Sequence, residues 1–104
     1  MVTAGELVKK HRYLMLSKSW CPDCHYAQRV FEKYKVYGKV HVLELDKLET
    51  GEAARLEKEF TVLSGRKWVP SIFVDGKFWG NEQMLAQHES HDTTAVAFRE
   101  IGLY

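Results

Sequence analysis

Between residues 13 and 35 the apolar residues change period, and the change falls on two cysteines. Tyr13 to Ser17 is a short, mostly apolar run suited to a buried strand. From Pro22 to about Lys35 the spacing is helical, with Ala27, Val30, Phe31 and Tyr34 recurring on one face. Trp20-Cys21-Pro22-Asp23-Cys24 occupies the junction. Pro22 suits the first turn of a helix, where its missing N–H is no loss. A strand that turns directly into a helix commits the chain to a layered α/β arrangement, because the next strand must return beside the first in parallel.

The remaining elements follow from the same patterns. Residues 3–12 predict a short helix with Ala4, Leu7 and Val8 on one face. After the break at Gly38, Val40 to Leu45 alternates as a second strand. Asp46 with Glu49 resembles a capping pair for a helix over about Thr50 to Leu63, with Ala53, Leu56, Phe60 and Leu63 inward and Ser64-Gly65 at its end. Ser71 to Val74, Asp75-Gly76 and Lys77 to Trp79 form strand, turn and strand. Asn81 can cap a helix bearing Met84 and Leu85, and a last helix runs from about Thr93 to Ile101. The order predicts a four-stranded mixed sheet with helices on both faces. Residues 1–104 are expected to form one domain with a core of its own.

The formal net charge is +1, which gives no electrostatic case for nucleic acid or an anionic membrane. No stretch has the length of a membrane span. Residues 1–12 hold Glu6, Lys9, Lys10 and His11 and no continuous apolar run, so a secretory signal is not expected there. The expected location is cytoplasmic and the expected state a monomer.

Four readings of the Cys-x-x-Cys run compete. In the redox reading, the Cys21 sulfur sits at a helix N-terminus, where unpaired N–H groups and the helix dipole favour the thiolate nucleophile. Lys18 adds positive charge nearby, and Asp23 opposes it. Cys24, one turn inside, can attack a mixed disulfide formed on Cys21. This reading requires a strand before, a helix after and a proline-preceded strand later; all three are present. The second reading is a pair of inert buried cysteines. The third is haem attachment, since Cys21-Pro22-Asp23-Cys24-His25 formally matches Cys-x-x-Cys-His. The fourth is zinc, completed by His88 and His91, whose two intervening residues are fewer than usual.

Three segments carry a resemblance to the glutaredoxin family, to a divergent dithiol branch with a Cys-Pro-Asp-Cys site. Ser17-Lys18-Ser19-Trp20-Cys21-Pro22-Asp23-Cys24 is similar to the family's Ser-Lys-x-x-Cys-Pro-x-Cys. Gly65-Arg66-Lys67-Trp68-Val69-Pro70 resembles its Gly-x-x-Thr-Val-Pro, and Val74 to Gly80 resembles the hairpin ending in its Gly-Gly-x-Asp. The resemblance implies a thioredoxin-like fold, a cis peptide before Pro70 and a glutathione groove beside Cys21. It implies that Val69 pairs through its backbone with the cysteinyl part of glutathione and that Lys18 meets the glycine carboxylate. Gly80, Asn81, Glu82 and Gln83 would hold the γ-glutamyl end; Trp20, Pro22, Asp23, Trp68 and Pro70 would line the groove. The family's second Gly is Asn81 here, and its Asp falls on Gln83, which can hydrogen-bond but cannot pair with an ammonium group. Trp68 stands in place of a small Thr, and Asp23 in place of the usual aromatic residue.

The implied activity is glutathione-dependent reduction of mixed disulfides, with Cys21 as nucleophile and Cys24 as resolving thiol. Glutathione is then a co-substrate, and no bound metal or organic cofactor is needed. The alternatives are a dithiol reductase recharged by thioredoxin reductase, a glutathione-ligated iron–sulfur module built on Cys21, and a redox-inactive interaction domain on the same fold.

Overall fold

The computed structural model describes residues 2–104. Nine elements of helix or strand follow the expected order: α1 (Ala4–Lys10), β1 (Tyr13–Ser17), α2 (Pro22–Lys33), β2 (His41–Glu44), α3 (Thr50–Ser64), β3 (Ser71–Val74), β4 (Lys77–Gly80), α4 (Glu82–Ser90) and α5 (Thr94–Glu100). Short 3-10 turns at Tyr37–Lys39 and Leu45–Lys47 bracket β2. The strands lie in the order β2-β1-β3-β4. β1 pairs parallel with β2 and antiparallel with β3, and β3 pairs antiparallel with β4, so the sheet is mixed.

β1 is the strand on which both layers are built. All five of its residues are buried. Because strand side chains alternate between faces, Leu14 and Leu16 enter one core while Tyr13 and Met15 enter the other. The first core packs against α1 and α3 through Ala4, Val8, Leu56 and Phe60. The second packs against α2, α4 and α5 through Ala27, Val30, Phe31, Leu85 and Phe98. β3 repeats the alternation, with Phe73 on the α3 side and Ile72 and Val74 on the other.

The hairpin turn at Asp75-Gly76 has both residues at positive φ, 51° and 85°, the conformation that lets a two-residue connection match the strand twist. Gly65 ends α3 in the left-handed region at φ 77°. The Val69–Pro70 peptide is cis.

The structure departs from the sequence expectations around β2 and α3. Asp46 does not cap α3. Glu49 holds the N-cap position and accepts from the Gly51 N–H, while Asp46 sits in a 3-10 turn and accepts from the backbone and hydroxyl of Ser19. The second strand is shorter than residues 40–45, with Val40 and Leu45 outside it. Leu63 is exposed rather than inward, beside exposed Val62 in the last turn of α3; Ala53 is only half-buried.

Phe31 is fully buried and stacks on Phe98 at 5.4 Å between ring centroids, tying α2 to α5. Phe31→Ala is expected to reduce unfolding stability by about 3–5 kcal/mol in urea titration. A loss below about 1 kcal/mol would mean that this layer does not carry the core as described.

Candidate active site

β1 ends at Ser17, and α2 begins after four intervening residues. Cys21 is the N-cap of α2, with extended backbone at φ −81° and ψ 116°, and Pro22 follows in the first turn. The Cys24 N–H donates to Cys21 Sγ at 3.3 Å. A sulfur here does what a serine or aspartate oxygen does at other helix starts: it satisfies an orphan N–H. The His25 N–H donates to the Cys21 carbonyl, closing the first turn from the backbone side. Both cysteines are free thiols and mostly buried, Cys21 6% and Cys24 3% exposed.

Burial, and the neighbouring Cys21 sulfur, push the Cys24 thiol up to about 12; hydrogen bonding to Ser17 and the Lys18 backbone only partly opposes this. At neutral pH Cys24 is therefore a protonated thiol. The two cysteines, identical in chemistry, are set apart by one helical turn: the first has its sulfur at the open end of the helix, the second inside the packed face.

A groove of about 250 Å³ opens beside Cys21, lined by Lys18, Trp20, Glu57, Thr61, Lys67, Trp68 and Val69. Of the residues expected to form the site, Lys18, Trp20, Cys21, Trp68 and Val69 meet in it. Val69 presents its carbonyl 3.9 Å from Cys21 Sγ. Trp20 and Trp68 flank the opening, 67% and 63% exposed, and each has a cation against its ring: Lys18 Nζ 5.5 Å from the Trp20 centroid and the Arg66 guanidinium 5.2 Å from that of Trp68. The Trp68 carbonyl accepts from the Ser71 hydroxyl at 2.6 Å, which ties the Trp68–Pro70 segment to β3.

Pro22, Asp23, Pro70, Gly80, Asn81, Glu82 and Gln83 lie outside that groove's lining. Pro22 and Asp23 form the first turn of α2, and Pro70 leads into β3. Gly80 ends β4, and a Cβ built there would lie 2.3 Å from the tip of the Met84 side chain, which would have to move aside. Asn81 caps α4, its side-chain oxygen accepting from the Met84 N–H at 3.1 Å. Glu82 lies near both Asp23 and Arg66. Burial first, then the negative charge of Asp23, push its carboxyl up, and one of its oxygens is buried without a hydrogen-bond partner.

Glu57, Thr61 and Lys67 were not singled out from the sequence. Glu57 and Thr61 are four residues apart on α3, one position after the inward Leu56 and Phe60, and such a pair reads as an ordinary solvated face. The histidines of the haem and zinc readings are engaged elsewhere. His25 Nε2 lies 2.6 Å from the Ser19 carbonyl, His88 Nδ1 2.7 Å from the Thr93 hydroxyl, and His91 Nδ1 2.9 Å from the Gln87 carbonyl. Among the described residues no three His, Cys, Asp or Glu side chains cluster as a metal site.

A thiol titrating near 12 is ionised to roughly one part in ten thousand at pH 8. Alkylation by iodoacetamide at pH 8, read by peptide mass spectrometry, should therefore modify Cys24 in the folded chain at least about tenfold more slowly than in urea. Equal rates would contradict the burial argument.

A family model described as Glutaredoxin matches residues 14–79, more than half of the chain. Glutaredoxin-8 of Saccharomyces cerevisiae is 39% identical over 100 residues, covering 96% of this chain and 92% of that one. Glutaredoxin-1 of the same yeast is 33% identical over 84 residues, covering 79% and 74%. Among solved structures, that of yeast dithiol glutaredoxin Grx8 superposes with a TM-score of 0.85 at 39% identity, covering 97% and 93%. A buckwheat glutaredoxin–glutathione complex shares the fold, with a TM-score of 0.75 at 22% identity over 96% and 87% of the two chains. The fold is thus thioredoxin-like, and the chain belongs to the glutaredoxin family as a dithiol member, a thiol–disulfide oxidoreductase with Cys21 and Cys24 as its redox-active pair.

Proposed function

We propose that this oxidoreductase reduces disulfides, including mixed disulfides, of proteins and small thiols at the expense of glutathione, with Cys21 as the attacking sulfur. The observation that carries the reading is the asymmetry of the pair. The Cys21 sulfur caps α2 at the edge of a groove holding two ammonium groups, while Cys24 is held as a neutral thiol behind it. Cationic side chains beside a nucleophilic sulfur suit a substrate that carries carboxylates. The family of the chain and the glutathione complex of its buckwheat structural relative agree with this choice of co-substrate.

In the proposed cycle the Cys21 thiolate attacks the glutathionyl sulfur of a mixed disulfide. The old S–S bond breaks, and the substrate leaves as a thiolate that takes a proton from water. A second glutathione thiolate can open the resulting Cys21–glutathione disulfide, giving oxidised glutathione and restoring Cys21. Alternatively Cys24 attacks Cys21, losing its proton as it does so, and releases glutathione; the Cys21–Cys24 disulfide is then reduced by two further glutathione molecules. Val69 would dock the peptide backbone, Pro70 would close the site from above, and Gly80 to Gln83 would meet the γ-glutamyl end. Trp20, Pro22, Asp23 and Trp68 would shape the rest of the binding surface.

A second reading, recharging by thioredoxin reductase, is favoured by one specific observation: Lys18 is already ion-paired to Glu57 and so is not free for a glutathione carboxylate. An NADPH-coupled assay separates the two, run once with glutathione and glutathione reductase and once with thioredoxin reductase. The glutathione system is expected to support turnover. Cys21→Ser should lose at least about a hundredfold in rate. Cys24→Ser should retain activity on glutathionylated substrates and lose it on intramolecular protein disulfides. Turnover with thioredoxin reductase alone would replace the reductant, and an active Cys21→Ser would overturn the assignment of the nucleophile.

A further inference from the structure

The groove beside Cys21 is occupied in part by its own ion pair. Lys18 Nζ lies 3.1 Å from Oε2 of Glu57, and Lys67 Nζ lies 3.8 Å from Oε1 of the same carboxylate. One carboxylate on α3 thus answers two ammonium groups, one from the loop before α2 and one from the loop before Pro70. The Lys18 and Glu57 side chains are only 28% and 26% exposed, so this contact is partly withdrawn from water. On the far side of the pair is a second hollow of about 240 Å³, lined by Leu45, Asp46, Ala53 and Ala54. The two hollows share Lys18, Trp20 and Glu57 and no other lining residue. The ion pair therefore stands between them as a partition.

We propose that Glu57 is a specificity-determining residue: it competes with the carboxylate of an incoming thiol for Lys18 and Lys67, and so lowers the groove's affinity for anionic thiols. This deepens the reading of glutathione as reductant and rests on it for the choice of anion. A carboxylate that approaches Lys18 must displace the Glu57 carboxylate, so binding exchanges one ion pair for another. With Glu57 neutral, the same approach supplies a partner that Lys18 lacks. For partly exposed groups at physiological salt, gaining an ammonium partner that is not already paired is worth about threefold to tenfold in affinity.

S-methylglutathione keeps both carboxylates and cannot react, so it reports binding apart from turnover. It would be titrated, beside its glycine ethyl ester, into the wild type, Glu57→Gln, Lys18→Met and the double variant, following amide shifts by NMR. Glu57→Gln is expected to bind S-methylglutathione about threefold to tenfold more tightly, while binding of the ester changes less than twofold. In the Lys18→Met background most of that gain should vanish, because Glu57 acts chiefly through Lys18. Unchanged or weaker binding to Glu57→Gln, an equal gain for the ester, a gain undiminished by Lys18→Met, or binding to neither protein would each overturn the proposal. Tighter binding to Glu57→Gln in a protein that glutathione cannot recharge would leave the competition standing and overturn the glutathione-reductant reading. Glutathione-dependent turnover with binding indifferent to Glu57 would do the reverse.

Discussion

The site depends on one hydrogen bond, from the Cys24 N–H to the Cys21 sulfur. Helix starts leave N–H groups without partners, and most chains satisfy them with an oxygen. Here the cap is the sulfur itself. The bond points the Cys21 side chain back over the first turn of α2 and places both cysteines in one register. It also fills a role that grows stronger as negative charge accumulates on the acceptor. Pro22 contributes by removing an N–H that would otherwise need a partner at that turn. The geometry that makes α2 start cleanly is the same geometry that presents a sulfur to the groove.

That cap is held in place from below by β1. Because β1 lies between a parallel and an antiparallel neighbour, it cannot shift register without transferring Leu14 and Leu16 out of one core and Met15 out of the other. The loop leaving its C-terminal end is pinned by Asp46 through Ser19 and by His25 through the Ser19 carbonyl. Pocket walls come from elements on the other side of the sheet's end: Glu57 and Thr61 from α3, and Lys67 to Val69 from the loop that enters β3. The chemistry thus sits where a strand–helix junction meets one face of α3 and the loop that enters β3.

Much of this was legible in the sequence, and for identifiable reasons. The strand, helix and turn assignments rested on periodicity, on Pro22 at a helix start and on Asp75-Gly76 in a turn, all of which act over a few residues. The cysteine asymmetry followed from the position of each sulfur relative to the same helix start. Other features depended on residues far apart in the chain. Asp46 and Glu49 have the spacing of a capping pair, yet Ser19, 27 residues earlier, captures Asp46. Leu63 has inward spacing, but whether the last turn of α3 has anything to pack against is decided by tertiary structure. Lys18 was legible as a cation beside Cys21; that Glu57, 39 positions later, already holds it was not. Local rules found the setting of the two cysteines, and the electrostatics of the groove needed three dimensions.

Which sulfur attacks is decided most directly by trapping the covalent adduct. Reduced Cys24→Ser and Cys21→Ser proteins would each be mixed with oxidised glutathione at neutral pH, quenched with acid and mapped by peptide mass spectrometry. Cys24→Ser is predicted to carry one glutathionyl group on Cys21, formed rapidly, and Cys21→Ser to remain essentially unmodified on the same timescale. Rapid glutathionylation of Cys24 in Cys21→Ser, with Cys21 unmodified in the other variant, would contradict the assignment.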